Sequence, residues 1–431
     1  MIKDFSKDEY DEFISLFSVT NVWHLIKKML SQVDSPFLEQ GERVAYIALR
    51  MAESQKMDMK TTRHLVFSAL FHDIGRIWST SSDPDLSTFD FQSAYDRALS
   101  SYLFLKYFSP LKDYSDIVLF QHGRADREQK NAYYKLGVKL NVCDHIDIWH
   151  SQGRGKEEIV SLLQNGSGKF FYPNDVETMV GILTNTNLLE HLDTDICHQA
   201  VDEFLSSLYF RRDVVRNYLF MVTYCFEFYN AETMYHARMT ASLCYLLGRY
   251  LNLDLHALCV LYTAGLFGDI GKVRIPHEIL EKPGRLTPEE TELMKKHIDD
   301  TKEILQGCFN ETDVIDVAYA HHERLDGSGY PLGLKGDQLS VEQRIIEVAD
   351  IGSALMAKRT YKDAYPMDKT IEELEKMKDD GKLDPAIVDL FSKNQAEIFA
   401  YLQNHLNRML RDMQALRAER QRLKFADAWE K

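Results

Sequence analysis

At 431 residues the chain is longer than one ordinary hydrophobic core supports, and its 45% hydrophobic and 27% charged residues are the balance of a folded protein, so two domains are expected and a disordered chain is excluded. With 66 Asp and Glu against 51 Lys and Arg, the formal net charge is −15, a field that repels long nucleic acids and anionic lipid surfaces. A small anionic ligand stays compatible with it, because metal ions and a few local cations outweigh the far field inside a pocket.

The chain opens on MIKDFSKDEYDEF, which is charged and has no apolar leader-like run. The longest apolar stretch, around Tyr218 to Phe228, falls short of the roughly 20 residues needed to cross a bilayer, and a cytoplasmic location without membrane contact is the expectation. Apolar residues recur at helical spacing, as in Val44, Ile47, Ala48 and Met51 and again in Leu243, Leu246, Leu247 and Tyr250, while period-two alternation is scarce. The expected fold class is therefore all-α. Ser79 to Ser87 and the Gly-rich Asp326 to Gly336 read as loops between helices. Cys143, Cys197, Cys225, Cys244, Cys259 and Cys308 form no CxxC pair and sit mostly among apolar neighbours, the pattern of reduced core thiols.

Continuing along the chain, the segments repeat in order. LVFSALFHDIGRIW (65–78) returns as LYTAGLFGDIGKVRIP (261–276), and QHGRAD at Gln121 returns as HHERLDG at His321. LNVCDHIDI around Asp144 returns as IEVADIGSAL around Asp350, and NGSGKFFYPNDV returns as KDDGKLDPAIV. Four matches in one order imply a duplicated unit, at roughly 37–190 and 228–393. The domains expected from this are 1–200, 201–393 and a helical tail at 394–431. In the tail, Leu402, Leu406, Met409, Met413 and Leu416 form a stripe that suits either a homodimer through a short coiled coil or packing on the protein's own surface.

The second copy gathers His, Asp and Glu in a way that ordinary cores avoid. Glu232 and His236 are spaced i, i+4, on one face of a helix; Asp269, His297, the pair His321 and His322, and Asp350 follow. Imidazoles mixed with carboxylates suit Fe, Mn or Zn, and a bridging carboxylate allows two ions about 3.5–4 Å apart, the arrangement used for phosphoryl chemistry.

HHERLDGSGYP (321–331) matches the HD-GYP signature HHExxDGxGYP at every fixed position, and DIGKVRIPHEILEKPGRLTPEE, MKKH, the Asp350 segment and KRTYKDA lie around it in the family's order. Residues 228 to 393 thus resemble the HD-GYP phosphodiesterases. The resemblance implies two HD-type helical bundles in tandem, two or three divalent ions, Fe or Mn, and a cyclic dinucleotide substrate opened to a linear 5′-phosphorylated dinucleotide. It implies metal ligation by Glu232, His236, Asp269, His297, His321, His322 and Asp350, catalysis by Asp269 and Lys272, and phosphate contacts by Lys272, Arg359 and Lys362. A degenerate HD unit before an HD-GYP unit also resembles the bacterial 3′,3′-cGAMP phosphodiesterases, which favours that substrate over c-di-GMP. The alternatives are a non-catalytic cyclic-dinucleotide receptor and an HD-type nucleotidase.

Two departures stand out. Gly268 precedes Asp269 where the family has histidine. The first copy keeps His72, Asp73, His122 and Asp144 as a candidate second metal site, but has Gln40 for the leading histidine, Gln121 for the first of the paired histidines, and no histidine near Arg97.

Overall fold

A computed structural model describes residues 6–17, 22–32, 35–78, 91–127, 129–208, 212–229, 231–280, 282–310, 312–356 and 366–425. No strand occurs among them, in agreement with the all-α expectation. The Ser79 to Ser87 loop, Arg359 and Lys362 lie outside the described residues.

Two compact units divide the chain: residues 34–221 with 414–431, and residues 1–33 with 222–413. We refer to them as the first and second unit. In the first unit the helices are α3 (Ser35–Ser54), α4 (Met59–Leu70), α5 (Phe91–Phe108), α6 (Asp116–Leu119), α7 (Tyr134–Ser151), α8 (Lys156–Gly166), α9 (Pro173–Asn185), α10 (Leu188–Leu192) and α11 (Asp195–Ser206); α1 (Lys7–Ser15) and α2 (Val22–Leu30) precede them in the second unit. Then come α12 (Arg212–Tyr229), α13 (Ala231–Tyr250), α14 (Leu255–Phe267), α15 (His277–Leu280), α16 (Pro288–Lys295), α17 (His297–Leu305), α18 (Asp313–Tyr319), α19 (Val341–Met356), α20 (Met367–Asp379), α21 (Pro385–Lys393) and α22 (Gln395–Phe425).

The duplication is visible in local chemistry. Helices α4 and α14 each start on an aspartate, Asp58 accepting from Thr61 N and Asp254 from Ala257 N, which satisfies one of the free N–H groups of the first turn. Before α9 and α21 the chain turns through Gly168 (φ +74°) and Gly381 (φ +73°), a conformation a Cβ disfavours, and Pro173 and Pro385 then open the helices. After α4 and α14 a tight 3-10 turn (Ile74–Trp78 and Ile270–Arg274) follows the candidate dyad position in both units.

The unit boundaries differ from the expected 1–200, 201–393 and 394–431. Phe13 and Phe17 of the N-terminal segment are about 1% exposed and pack edge-on against Tyr262 and Phe267, with Phe17 also against Phe309, so apolar burial assigns this segment to the second unit. At the other end, Glu419 of α22 accepts hydrogen bonds from Lys106 Nζ (2.7 Å), Tyr102 Oη (3.1 Å) and Tyr107 Oη (2.7 Å), which ties 414–431 to the first unit. Of the tail stripe, Leu402 and Leu416 are buried by the chain itself, so a coiled-coil dimer there lacks two of its five apolar positions. The side chains of Leu406, Met409 and Met413 are outside the described residues. All six cysteines are free and buried, as expected.

Candidate metal centre

The second unit's site is assembled from helix ends and one helix face. His236 comes from α13, Asp269 from the residue between α14 and the 3-10 turn, His297 from the first position of α17, His321 and His322 from the turn after α18, and Asp350 from α19. Among the described residues, one group of three or more metal-ligating side chains has its ligand atoms within 4.8 Å of one another: Asp269, His297, His321 and His322.

Backbone contacts fix the imidazole tautomers. His297 Nδ1 is 2.6 Å from Met294 O and His321 Nδ1 is 2.7 Å from Ala318 O. A carbonyl only accepts, so Nδ1 carries the proton in both rings and Nε2 presents a lone pair. Those two Nε2 atoms lie 3.5 and 3.6 Å from Asp269 Oδ1, and all three atoms are buried without a hydrogen-bond partner. Three buried acceptors facing one another lack a donor or a cation between them, and a divalent ion fits that need.

The other Asp269 oxygen faces a second set. His236 Nε2 is 3.3 Å from Asp269 Oδ2 and 3.0 Å from Asp350 Oδ1, and His322 Nδ1 is 3.7 Å from Asp350 Oδ2. Asp269 thereby presents one oxygen to each of the two sets. Ser353 Oγ, 2.9 Å from His236 Nδ1, orients that ring, and Lys272 Nζ donates to Asp269 Oδ2 at 2.8 Å. Burial pushes the Asp269 carboxyl up, but the Lys272 charge and the His236 imidazole outweigh it and hold it well below the usual carboxylate range. Burial drives the His297 imidazole down to about 4, with the Lys272 charge acting in the same direction, which keeps its Nε2 lone pair available.

Gly268 leaves room at this centre. A small cavity is lined by His236, Gly268, Asp269, His321, Ile346 and Asp350, and a Cβ on Gly268 would sit 3.5 Å from His321 Nδ1. Glu232 lies one helical turn before His236 on α13, its side chain outside the described residues.

A carboxylate the sequence reading left without a role holds the signature loop. Glu323, fully buried, accepts from Leu332 N (2.7 Å) and Leu334 N (2.9 Å), and so pins the segment whose Tyr330 ring lies tilted against His322, with ring centroids 4.8 Å apart. Its place next to the paired histidines was the available signal. Ser353, three residues after Asp350, had none beyond that spacing.

In the first unit the candidate residues meet in pairs. His72 Nε2 is 3.2 Å from Asp144 Oδ1, and Arg97 Nη1 is 2.9 Å from Asp73 Oδ2. Burial pushes the His72 imidazolium down, yet the charge and hydrogen bond of Asp144 overcome this and lift it to about 9; burial takes His122 down to about 4.

A model of the HD domain matches residues 226–387. The chain carries an HD domain over that stretch. Its HD region carries the site just described. Over nearly the whole chain it is 25% identical to 3'3'-cGAMP-specific phosphodiesterase 1 of Vibrio cholerae serotype O1, covering 87% of this chain and 91% of that one. It is 30% identical to 3'3'-cGAMP-specific phosphodiesterase 3 of the same organism, over 66% of this chain and 60% of that one, and 42% identical to a cyclic di-GMP phosphodiesterase of Thermotoga maritima, over 30% and 36%. The crystal structure of the V. cholerae cyclic GMP-AMP specific phosphodiesterase V-cGAP3 is similar in fold, with a TM-score of 0.50 and 20% identity over 89% of this chain and 97% of that one. No helix among the described residues is long and apolar enough to cross a membrane.

Proposed function

We propose that the chain is a metal-dependent phosphodiesterase that opens a cyclic dinucleotide, 3′,3′-cGAMP ahead of c-di-GMP, to a linear 5′-phosphorylated dinucleotide in the cytoplasm. The convergence of the buried, unpaired Nε2 atoms of His297 and His321 on Asp269 Oδ1 carries this reading. The cGAMP-specific relative that spans most of the chain supports the order of substrates.

In this reading Asp269, His297, His321 and His322 would hold one ion, of Fe or Mn type, and His236, Asp350 and Asp269 would hold another. Divalent ions supply a water of lowered pKa and neutralise phosphoryl oxygens. The residues do the rest. Asp269 keeps both halves of the centre in one geometry, and His236 is held in place by Ser353. Lys272, whose Nζ donates to Asp269, would turn that ammonium to a non-bridging oxygen of the substrate. Water attacks phosphorus in line, its oxygen forming the new P–O bond as the P–O3′ bond breaks and O3′ takes up the proton that the water gives up, while Lys272 offsets charge on the equatorial oxygens. Arg359 and Lys362 are proposed to contact the phosphates from the 357–365 segment.

Purified full-length protein, loaded with Mn or Fe and offered 3′,3′-cGAMP, c-di-GMP and c-di-AMP, should yield a linear dinucleotide, and the His321→Ala, His322→Ala variant should lose turnover and hold less metal while staying helical. Turnover and metal content that survive in this variant would reject the site. Gly268 favours one rival, a receptor that binds the nucleotide without cleaving it; saturable binding with no turnover at any metal loading would establish it. Release of inorganic phosphate from mononucleotides would instead indicate a nucleotidase.

A further inference from the structure

The two units place the same backbone frame around different chemistry. Gly75 N donates to Ser101 Oγ at 2.9 Å, and Gly271 N donates to Thr301 Oγ1 at 3.0 Å. In both, the glycine is pressed against the facing helix: an added Cβ would come within 2.5 Å of Ser101 N in one unit and 2.6 Å of Thr301 N in the other. These contacts set the register of α5 against α17 independently of sequence matching. Four residues before Ser101 stands Arg97; four residues before Thr301 stands His297.

The two side chains also address the same partner. His297 Nε2 faces Asp269 Oδ1 at 3.5 Å, and Arg97 Nη1 bonds Asp73 Oδ2 at 2.9 Å, with Arg97 8% and Asp73 3% exposed. A guanidinium therefore occupies the position of an imidazole ligand. It offers five donors and no lone pair, and it is never deprotonated in a protein, so a ligand has been exchanged for a fixed positive charge.

The rest of the first unit agrees. Gln121 stands for His321, His72 Nδ1 is 2.7 Å from Ala69 O, and His72 Nε2 points to Asp144. Among the described residues, no trio of His, Cys, Asp or Glu in this unit brings its ligand atoms together as the second unit does. Asp73 Oδ1 and Gln121 Oε1 still lack a donor, a need of the kind a buried water meets.

We propose that the first unit is a metal-free copy of the fold in which the Arg97 guanidinium serves as the built-in cation of Asp73, so that bound divalent ions belong to the second unit alone. Arg97 makes the Asp73 carboxylate neutral in effect and repels any ion brought to it. The first unit then keeps its shape without metal and does not respond to chelators.

The test uses the full chain with both halves of the second unit's centre silenced by His236→Ala, His321→Ala and His322→Ala, dialysed against Mn2+ or Zn2+ and measured for retained metal. No retained metal is expected. Arg97→His with Gln121→His on that background should gain about one equivalent, with circular dichroism checking that the helices persist. If the silenced chain keeps metal, Asp73→Asn and Asp269→Asn made separately locate it. Loss with Asp73→Asn overturns the proposal; loss with Asp269→Asn alone leaves it standing and faults the ligand assignment in the second unit instead.

Discussion

Gly268→His puts an imidazole back beside Asp269, and its outcome can be worked from the local geometry. Gly268 has φ −54° and ψ −35°, a right-handed helical conformation open to any L-residue, so no backbone strain opposes the change. The new Cβ would lie 3.1 Å from Ala264 O, which must give by a few tenths of an ångström, and 3.5 Å and 3.7 Å from His321 Nδ1 and Cε1, ordinary contact distances. From there the ring enters the cavity bounded by His236, Asp269, His321 and Asp350. Crowding in a packed site costs about 1 kcal/mol at the low end of overpacking, or a fall of roughly 2–4 °C in thermal midpoint for a domain of this size. A gained ligand should tighten one ion about tenfold, which is about 1.4 kcal/mol. Calorimetric Mn2+ titration, with activity followed over the same metal range, reads the effect: the half-saturating Mn2+ concentration should fall about tenfold while the midpoint drops by a few degrees. Turnover that appears only in the variant would support the receptor reading. A folded variant with unchanged metal affinity and unchanged activity would refute the reasoning, because Gly268 would then not face the centre.

Lys272→Ala should lower kcat about 10²–10³-fold, the scale for one group that stabilises developing negative charge, with metal content unchanged; a full rate would mean that the ammonium stays on Asp269 and never reaches phosphate. Glu323→Gln sets an amide N–H against Leu332 N or Leu334 N, and should cost about 2 kcal/mol in denaturant unfolding together with a lower kcat as Tyr330 loosens over His322; wild-type stability would show that the signature loop is held by other contacts. Glu347 is fully buried with both oxygens unpartnered; burial pushes its carboxyl up to about 8, Glu323 adds to this, and Arg324 and Arg344 oppose it. Its folded pKa exceeds the unfolded one, so the folded chain holds a proton that the unfolded chain releases, and this contribution to stability is complete below about pH 4.5 and lost as pH rises to about 8. Glu347→Gln should therefore raise the thermal midpoint at pH 8.5 much more than at pH 5; equal shifts at the two pH values would place the titration elsewhere.

Helical periodicity, the four ordered repeats and the 321–331 signature were enough to read an all-helical duplicated fold and the second unit's metal-type cluster from the chain, because they rest on local spacing that survives translation into helices and turns. His297 and the paired histidines could be named for the same reason: each sits at a helix end or turn whose sequence is distinctive. Spacing along the chain could not show which Asp269 oxygen meets which ring, that Ser353 orients His236, or that Glu323 holds the signature loop, since these partners are joined only when separate helices pack. Nor could it assign residues 1–33 and 414–431 to their units. Phe13 and Phe17 find their apolar partners some 250 residues away and Glu419 its donors more than 300 residues away, and only the burial of apolar and charged groups in the folded state selects those contacts over nearer ones. In the first unit, Arg97 read as a missing histidine until the packing of Gly75 against Ser101 placed its guanidinium on Asp73. A change of charge at one ligand position is written in the sequence, but its partner is chosen by the tertiary fold.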